Sequence, residues 1–358
     1  MSSIDRQSQP ARNELETIEH LRTLLRRLGA TIRREVCDHR DAGGVEALRS
    51  VAGRVEADVI YRVDRVSEEA VLDWFAEHWP PDRAVQIVME GIEDDVVVTF
   101  PRDTRPDAVE WICIIDPIDG TRNLMFDKRA AWVLTALAPA RIGADGRAGA
   151  RLADIEVAVM TEIPTSKQGW TDQVSARRGQ GPDGVVAHRI DVRSGEVEPF
   201  VLTPSGARGF EHGFCSFSHA QPDGKALLAA IEQAVWDRLV PPRGDARSVF
   251  EDQYLCSAGQ LYEVASGHDR FVGDLRPLVA DHLGVTRGLV AHPYDVCTAL
   301  VVTESGGVFE DPWGGPVDVP LDTTSPVAFM AYANPELAAG VRPALAAAIT
   351  EVLGITGP

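Results

Sequence analysis

The chain has 358 residues, of which 44% are hydrophobic and 25% are charged, and its formal net charge is −19. These values are typical of a soluble globular protein with one large domain or two packed domains. The negative charge argues against a nucleic-acid polymer or an anionic membrane surface as a partner, because both require clustered Lys and Arg.

The cysteines and the N-terminal segment indicate the compartment. The five cysteines are an odd number without a CxxC pair, which favours free thiols in a reducing environment. Residues 1–13 are polar and are expected to be disordered, and they contain no apolar signal segment. No apolar run is long enough to span a membrane. We therefore expect a cytoplasmic protein.

The N-terminal part of the chain is predicted to be helical. Apolar residues recur at helical spacing across residues 14–39, which predicts an amphipathic helix. Residues 41–44 are predicted to end it, with a second, shorter helix over residues 45–51.

An extended segment, a helix and a strand follow. Residues 57–63 lead at Asp64 into a helical pattern over residues 66–79, and the local sequence favours Asp64 as a helix N-cap. Val85–Met89 is predicted to be a strand, and the acidic segment after it contains Glu90 and Glu93. By itself this segment fits an exposed loop.

The central motif is WICIIDPIDGTRN, residues 111–123. Its apolar, β-branched start predicts a strand buried on both faces. Pro117 fixes its own φ and favours an extended Asp116, so the strand ends on a carboxylate. Residues 119–121 are predicted to turn into a helix that Asp or Thr can cap, with backbone N–H groups that suit a phosphate.

Two carboxylates this close, Asp116 and Asp119, repel each other unless a cation lies between them. Hard oxygen ligands suit Mg²⁺ or Mn²⁺. An Asx-turn in which one Asp caps the helix is the alternative interpretation of the same residues.

The segment Asp116-Pro117-Ile118-Asp119-Gly120-Thr121 resembles the signature of the inositol monophosphatase superfamily of metal-dependent, lithium-sensitive phosphatases. That superfamily also includes fructose-1,6-bisphosphatases, bisphosphate nucleotidases and histidinol-phosphate phosphatases. The resemblance implies an α/β layered sandwich, αβαβα, and a homodimer. Its N-terminal α+β subdomain would cover residues 14–183 and its C-terminal α/β subdomain residues 184–358, with the metals between them.

The resemblance also implies the site residues. Two or three Mg²⁺ ions, for which Mn²⁺ could substitute, would be held by Glu90, Asp116, the backbone carbonyl of Ile118, Asp119 and Asp295. Asp64 and Thr121 would activate the attacking water, and the backbone N–H groups of Gly120 and Thr121 would bind the substrate phosphate.

The sequence departs from the family pattern beside Glu90. Met89 replaces a usual Gly, and Gly91 replaces a second Glu. Glu93 could serve in place of Glu90.

Beyond the central motif, strands of an antiparallel sheet are predicted at residues 131–138, 153–161 and 170–174, and residues 177–181 are predicted to form a turn. Residues 199–203 and 213–218 are predicted to be strands of the second subdomain. His212, Cys215 and His219 could suggest a zinc site, but alternation along a strand would divide them between its faces. Helices are predicted at residues 225–240, 254–266 and 335–353.

Residues 292–307, HPYDVCTALVVTESGG, resemble the second signature of the same superfamily, with Tyr294 in place of Trp. The resemblance makes Asp295 a metal ligand, and a helix-capping Asp is the alternative. Gly306 and Gly307 are predicted to end the helix before a strand from Val308.

Taken together, the sequence predicts a metal-dependent phosphatase acting on a small phosphomonoester such as an inositol phosphate or a related sugar or alcohol phosphate. A bisphosphate phosphatase for a nucleotide or sugar, or a histidinol-phosphate phosphatase, is the alternative within the class. An inactive metal- or phosphate-binding protein is the alternative outside it.

Overall fold

The computed structural model of the protein describes residues 9–48, 51–54, 59–93, 95–241, 247–285 and 290–357. The helices in these ranges are α1 (Gln9–Leu48), α2 (Arg62–His78), α3 (Thr121–Met125), α4 (Lys225–Leu239), α5 (Ser257–Ala265), α6 (Arg276–Leu283), α7 (Pro293–Val296), α8 (Ala299–Glu304) and α9 (Pro335–Leu353). Of the helices described, none combines the length and apolar character that a membrane crossing requires.

The strands in the same ranges are β1 (Val51–Arg54), β2 (Val59–Tyr61), β3 (Val85–Met89), β4 (Val98–Phe100), β5 (Trp111–Asp119), β6 (Ala131–Pro139), β7 (Arg141–Ile142), β8 (Ala148–Gly149), β9 (Val157–Ile163), β10 (Trp170–Arg177), β11 (Val186–Asp191), β12 (Val197–Phe200), β13 (Gly213–Phe217), β14 (Val249–Phe250), β15 (Asp269–Asp274), β16 (Val308–Glu310) and β17 (Phe329–Tyr332).

The larger sheet has eight strands in the order β12-β11-β10-β9-β6-β5-β3-β4. All neighbours pair antiparallel except β3 and β5, which are parallel. The predicted strands at residues 85–89, 111–115, 131–138 and 170–174 are therefore confirmed. The strand predicted at residues 153–161 begins only at Val157, because Leu152–Asp154 form a 3₁₀ turn.

Three predictions need correction. Helix α1 begins at Gln9, inside the segment expected to be disordered, and it continues through residues 41–44 to Leu48, so the predicted break and second helix are wrong. The two glycines there cost less than the helix gains by continuing. The strand expected at residues 199–203 in the second subdomain is instead β12, which pairs with β11. The larger sheet thus continues to Phe200, past the boundary suggested at residues 183 and 184. Residues 1–8 lie outside the described part of the chain.

The smaller sheet has five strands in the order β14-β13-β15-β17-β16. Strands β14, β13 and β15 are parallel, and β17 pairs antiparallel with β15 and β16. Because the carboxyl ends of parallel strands meet at one edge, the segments after β13, β14 and β15 lie near one another.

Three apolar clusters stack the elements into layers. One packs α1 and α2 on the larger sheet, through residues such as Leu25 and Ile115. A second packs α5 and α8 between the two sheets, with Leu261 and Val302 fully buried in it. The third packs α4 and α9 on the outer face of the smaller sheet. The αβαβα sandwich that the resemblance implied is confirmed.

Candidate metal-binding active site

The first acids of the site lie at the carboxyl ends of two parallel strands. Strand β5 carries Asp116 and Asp119 at its end, where its register against β6 becomes irregular. The carboxylate of Asp116 accepts a hydrogen bond from the backbone N–H of Ile118 at 2.9 Å, which closes the turn. Glu90 follows the neighbouring β3, and its backbone N–H donates to the Ile115 carbonyl at 3.3 Å.

Asp295 reaches the same place from the second half of the chain. It is the third residue of α7, and its Oδ2 accepts a hydrogen bond from the His292 backbone N–H at 2.6 Å. One carboxylate oxygen each from Asp116, Asp119 and Asp295 can be chosen so that all lie within 4.8 Å of one another. The capping role considered for Asp295 is therefore present, and the carboxylate also belongs to the acidic cluster.

The cluster is buried and electrostatically unfavourable. Asp116 is 1% exposed and Asp119 is 7% exposed. Burial raises the pKa of Asp116 well above its usual value, and the nearby charges of Glu90, Asp119 and Asp295 raise it further. Burial, followed by the charge of Asp295, raises the pKa of Asp119 to about 7. Buried like charges of this kind require a cation or protons.

The donor set fits hard divalent cations. The carboxylates of Glu90, Asp119 and Asp295 all act on Asp116, whereas the nearby cation Arg276 already forms a two-point ion pair with Asp274. Oxygen ligands with an excess of negative charge are the arrangement that Mg²⁺ and Mn²⁺ prefer. The residues that the structure brings together could therefore hold such ions.

The N-terminal end of α5 holds Asp119 in position. The Ala258 backbone N–H donates to Asp119 Oδ2 at 2.6 Å. Cys256 is the N-cap of α5: its Sγ accepts from the Gly259 N–H at 3.2 Å and lies 3.4 Å from the Asp119 carbonyl oxygen, to which the thiol donates. A helix N-terminus stabilises a carboxylate, so α5 offsets part of the cost of burying Asp119.

Gly120 and Thr121 occupy the turn between β5 and α3. Gly120 has φ +90°, and a β-carbon there would lie 3.0 Å from Cys256 Cβ, so the turn requires glycine. Gly120, rather than Asp or Thr, is the N-cap residue of α3, and it provides no side-chain cap. The Thr121 hydroxyl donates to the Ile118 carbonyl oxygen at 2.9 Å. Asp64, its expected partner, is the third residue of α2, but its side chain lies outside the described part of the structure.

The two candidate glutamates after β3 differ in their surroundings. Glu90 is half-buried and its charge acts on Asp116. Glu93 is exposed and lines a separate cavity of about 630 Å³ that also contains Arg147 and Asp318. The geometry thus favours Glu90 as the member of the cluster.

The sequence did not predict Cys256, Ala258 and Arg276 as contributors to the site, and it indicated Tyr294 only as the replacement for a Trp of the second signature. Tyr294 is stacked on His292, with ring centroids 5.3 Å apart, and it lies near the charges of Asp295 and Glu90. Cys256 and Ala258 belong to a segment whose role could not be assigned from local sequence. Arg276 begins α6, and its charge interacts with Asp295 and Asp119; no local pattern distinguishes it from an ordinary surface Arg.

Comparisons with solved structures identify proteins with a similar fold. The extragenic suppressor protein suhB from Bartonella henselae matches with a TM-score of 0.61 at 19% identity, over 91% of this chain and 98% of that chain. The Leishmania major fructose-1,6-bisphosphatase in holo form matches with a TM-score of 0.62 at 13% identity, over 89% and 91% of the two chains.

The inositol monophosphatase from Anabaena (Nostoc) matches with a TM-score of 0.55 at 14% identity, over 94% of this chain and 97% of that chain. No protein-family model matches the sequence, and no curated protein matches it. At this level of identity the likeness establishes the fold. The chain has the layered α/β fold that these suhB, inositol monophosphatase and fructose-1,6-bisphosphatase structures share.

Proposed function

We propose that this protein is a phosphatase that depends on divalent metal ions and hydrolyses a small phosphomonoester, such as an inositol phosphate or a related sugar or alcohol phosphate. One observation carries the proposal. Asp295 on α7 joins Asp116 and Asp119 on the distant strand β5, with one carboxylate oxygen from each within 4.8 Å of the others, in a position where burial and mutual repulsion call for cations.

The proposal assigns the metal ligands as follows. Glu90, Asp116 and the Ile118 carbonyl would hold one Mg²⁺, and Asp116, Asp119 and Asp295 would hold a second, with Mn²⁺ as a possible substitute. When bound, such ions act as Lewis acids and lower the pKa of coordinated water.

The chain's own groups would orient the reaction. Thr121 and Asp64 would hold the attacking water and accept its proton. The backbone N–H groups of Gly120 and Thr121 would bind the phosphate oxygens. Hydrolysis would be direct, without a phosphorylated residue. The hydrogen bond from Thr121 Oγ1 to the Ile118 carbonyl supports this assignment, because it keeps the hydroxyl beside a proposed ligand.

A bisphosphate substrate is the second candidate, and Arg276 favours it. This side chain is only 11% exposed and lies close enough to Asp119 and Asp295 for its charge to act on both. A guanidinium suits phosphate recognition, so a second phosphate of a sugar or nucleotide could bind there.

The test is release of inorganic phosphate by metal-stripped protein after addition of Mg²⁺ or Mn²⁺, with and without Li⁺. The substrates are inositol phosphates, histidinol phosphate, fructose-1,6-bisphosphate and adenosine bisphosphate. We expect turnover of one of them only with added metal. A folded protein that binds Mn²⁺ but hydrolyses none would favour a binding role and contradict the proposal.

The proposal also includes a cytoplasmic location and a homodimer. Analytical ultracentrifugation of the purified chain tests the dimer, and a sedimentation coefficient of a 38.8 kDa monomer would contradict it.

A further inference from the structure

A second cluster of potential metal ligands lies away from the acids of the proposed active site. His219 follows β13, Glu251 follows the parallel neighbour β14, and Glu232 lies on α4. One donor atom from each can be chosen so that all three lie within 4.8 Å of one another. The parallel pairing of β13 and β14 explains why residues so far apart in sequence meet at the same sheet edge.

The imidazole of His219 is buried between the two carboxylates without a satisfactory hydrogen bond. Its side chain is 10% exposed, and Nε2 is buried and has no hydrogen-bond partner. Nε2 lies 3.3 Å from Glu232 Oε2, and Nδ1 lies 3.5 Å from Glu251 Oε1. An imidazolium paired with carboxylates forms shorter, well-directed hydrogen bonds of about 2.7–2.9 Å. A buried ring nitrogen left without a partner is unfavourable unless another group occupies that position.

The spacing between His219 Nε2 and Glu232 Oε2 suits a shared ion, whereas Glu251 faces the other ring nitrogen, Nδ1, and must turn its carboxylate towards Nε2 to complete the site. Two donor atoms, each about 2.1 Å from a tetrahedral Zn²⁺, lie about 3.4 Å apart, close to the Nε2–Oε2 separation. One imidazole and two carboxylates balance the charge of a divalent ion. Glu251 is 40% exposed, so the cluster opens to solvent on one side.

Groups around the cluster hold the two carboxylates in place. The indole N–H of Trp236 donates to Glu232 Oε1 at 3.2 Å, which leaves Oε2 facing His219. The Gln253 amide donates to Glu251 Oε1 and to the Phe217 carbonyl, and its Oε1 accepts from the His219 backbone N–H at 2.9 Å. Such outer contacts orient the ligands of metal sites in proteins.

We propose that His219, Glu232 and Glu251 form a second binding site for a divalent transition-metal ion, of which Zn²⁺ is the type. Imidazole nitrogen distinguishes this site from the all-oxygen cluster around Asp116, and it favours Zn²⁺ over Mg²⁺. The ion joins α4 to the segments that follow β13 and β14. The preceding Ser218 donates its backbone N–H to the Gly273 carbonyl on β15 at 2.8 Å, so the ion also stabilises the segment that joins β13 to β15 by this hydrogen bond.

The test uses the full chain with Asp116→Asn and Asp119→Asn, which disable the other cluster. After metal removal, isothermal titration calorimetry with Zn²⁺ should show one equivalent bound. Adding His219→Ala should weaken this binding at least tenfold. Co²⁺ should give a visible absorption band in the parent protein, which carries only Asp116→Asn and Asp119→Asn. The band should disappear when His219→Ala is added, because it reports coordination of the ion.

His268→Ala is the matched control, since His268 also contacts a glutamate, Glu263, but belongs to no group of three potential metal ligands among the described residues. It should leave Zn²⁺ binding unchanged. Circular dichroism without metal checks the fold of each variant, and Glu251→Gln, at the exposed side of the cluster, replaces His219→Ala if that variant misfolds. Absence of Zn²⁺ binding in the parent, or binding unaffected by both ligand substitutions, would overturn the proposal.

Discussion

The carboxylate of Glu68, on α2, occupies the space beside Gly91 that a side chain at position 91 would need. A β-carbon built on Gly91 would overlap Glu68 Oε1, and Gly91 has φ +87°, which L-residues rarely adopt. The signature that this segment resembles has an acid at position 91. In this protein the Glu68 carboxylate, carried by helix α2, occupies that place.

Gly91→Ala should therefore destabilise the protein by about 1–3 kcal/mol, because a non-glycine residue must hold a strained backbone conformation. Urea unfolding measures the change. Combining it with Glu68→Ala removes the overlap but not the backbone strain, so the double variant should recover only part of the loss. Gly340→Ala is the control, since a β-carbon there meets no atom within 4 Å. If Gly91→Ala is as stable as the native protein, position 91 does not require glycine and the prediction is contradicted.

Asp116→Asn should abolish phosphate release while leaving the fold intact. Asp116 is the acid shared by both proposed metal ions, and its replacement also removes a buried charge that Glu90, Asp119 and Asp295 repel. Turnover by the standard phosphate assay should fall at least about a thousandfold, and the thermal midpoint without metal should not fall. Asp107→Asn, at an exposed aspartate, is the matched control. Retained activity would refute the site.

Cys256 should tolerate serine but not alanine. Serine retains an N-cap acceptor for Gly259 and a donor for the Asp119 carbonyl, whereas alanine loses both, at a cost of about 0.5–2 kcal/mol. We expect weaker Mn²⁺ binding for Cys256→Ala than for Cys256→Ser, measured by calorimetry. Burial raises the pKa of the Cys256 thiol, so the folded protein should also resist alkylation at this residue at neutral pH. Equal Mn²⁺ affinity of the two variants would contradict the capping role.

Arg276→Ala should destabilise the protein by about 3–5 kcal/mol, because it leaves the fully buried Asp274 carboxylate without its cation. Asp274→Ala combined with Arg276→Ala should be less destabilising than the sum of the two single changes. Denaturant unfolding of the four proteins gives the coupling energy. If the losses of unfolding free energy in the two single variants add exactly to the loss in the double variant, the ion pair between Asp274 and Arg276 does not contribute to stability.

The pH dependence of stability provides a test at Asp269. Burial, with the charges of Glu263 and Asp252, raises the pKa of Asp269 to about 7. Between pH 4 and 7 the folded protein retains a proton that the unfolded chain has released, so this residue makes stability fall as pH rises through that range. Asp269→Asn should reduce the fall in unfolding free energy between pH 5 and pH 8, measured in EDTA. Asp82→Asn, at an exposed position, is the control. If the pH dependence of the unfolding free energy is the same in Asp269→Asn as in the native protein, the raised pKa of Asp269 is contradicted.

The sequence was sufficient to predict the features that depend on residues close to one another along the chain. Strand β5 follows from its apolar, β-branched start, although it continues past Pro117 to Asp119, and helix α9 follows from its apolar pattern after the N-cap Asn334. The order of the acids along the chain, and their likeness to known signatures, predict Glu90, Asp116, Asp119 and Asp295 as candidate ligands. Ligand atoms of Asp116, Asp119 and Asp295 lie within 4.8 Å of one another, and Glu90 is close enough for its charge to act on Asp116.

What the sequence could not predict depends on packing between distant segments. The support of Asp119 by Cys256 and Ala258 and the position of Arg276 have no local pattern. His219 shows the same limit: the histidine and cysteine near it in sequence suggested a zinc site that strand geometry excludes, whereas its partners Glu232 and Glu251 come from a helix and a second strand end. The unbroken α1 shows that the local helix-breaking signal at Gly43 and Gly44 does not end the helix.

The spread of the site acids along the chain has a consequence for synthesis. Asp116 and Asp119 leave the ribosome well before Asp295, and helix α5, which supports Asp119, also follows much later. During translation the first two carboxylates therefore lack both their third acid and their helix N-terminus. We expect nascent chains that stop before α5 to bury this end of β5 poorly, so the proposed metal site forms only after synthesis has passed Asp295.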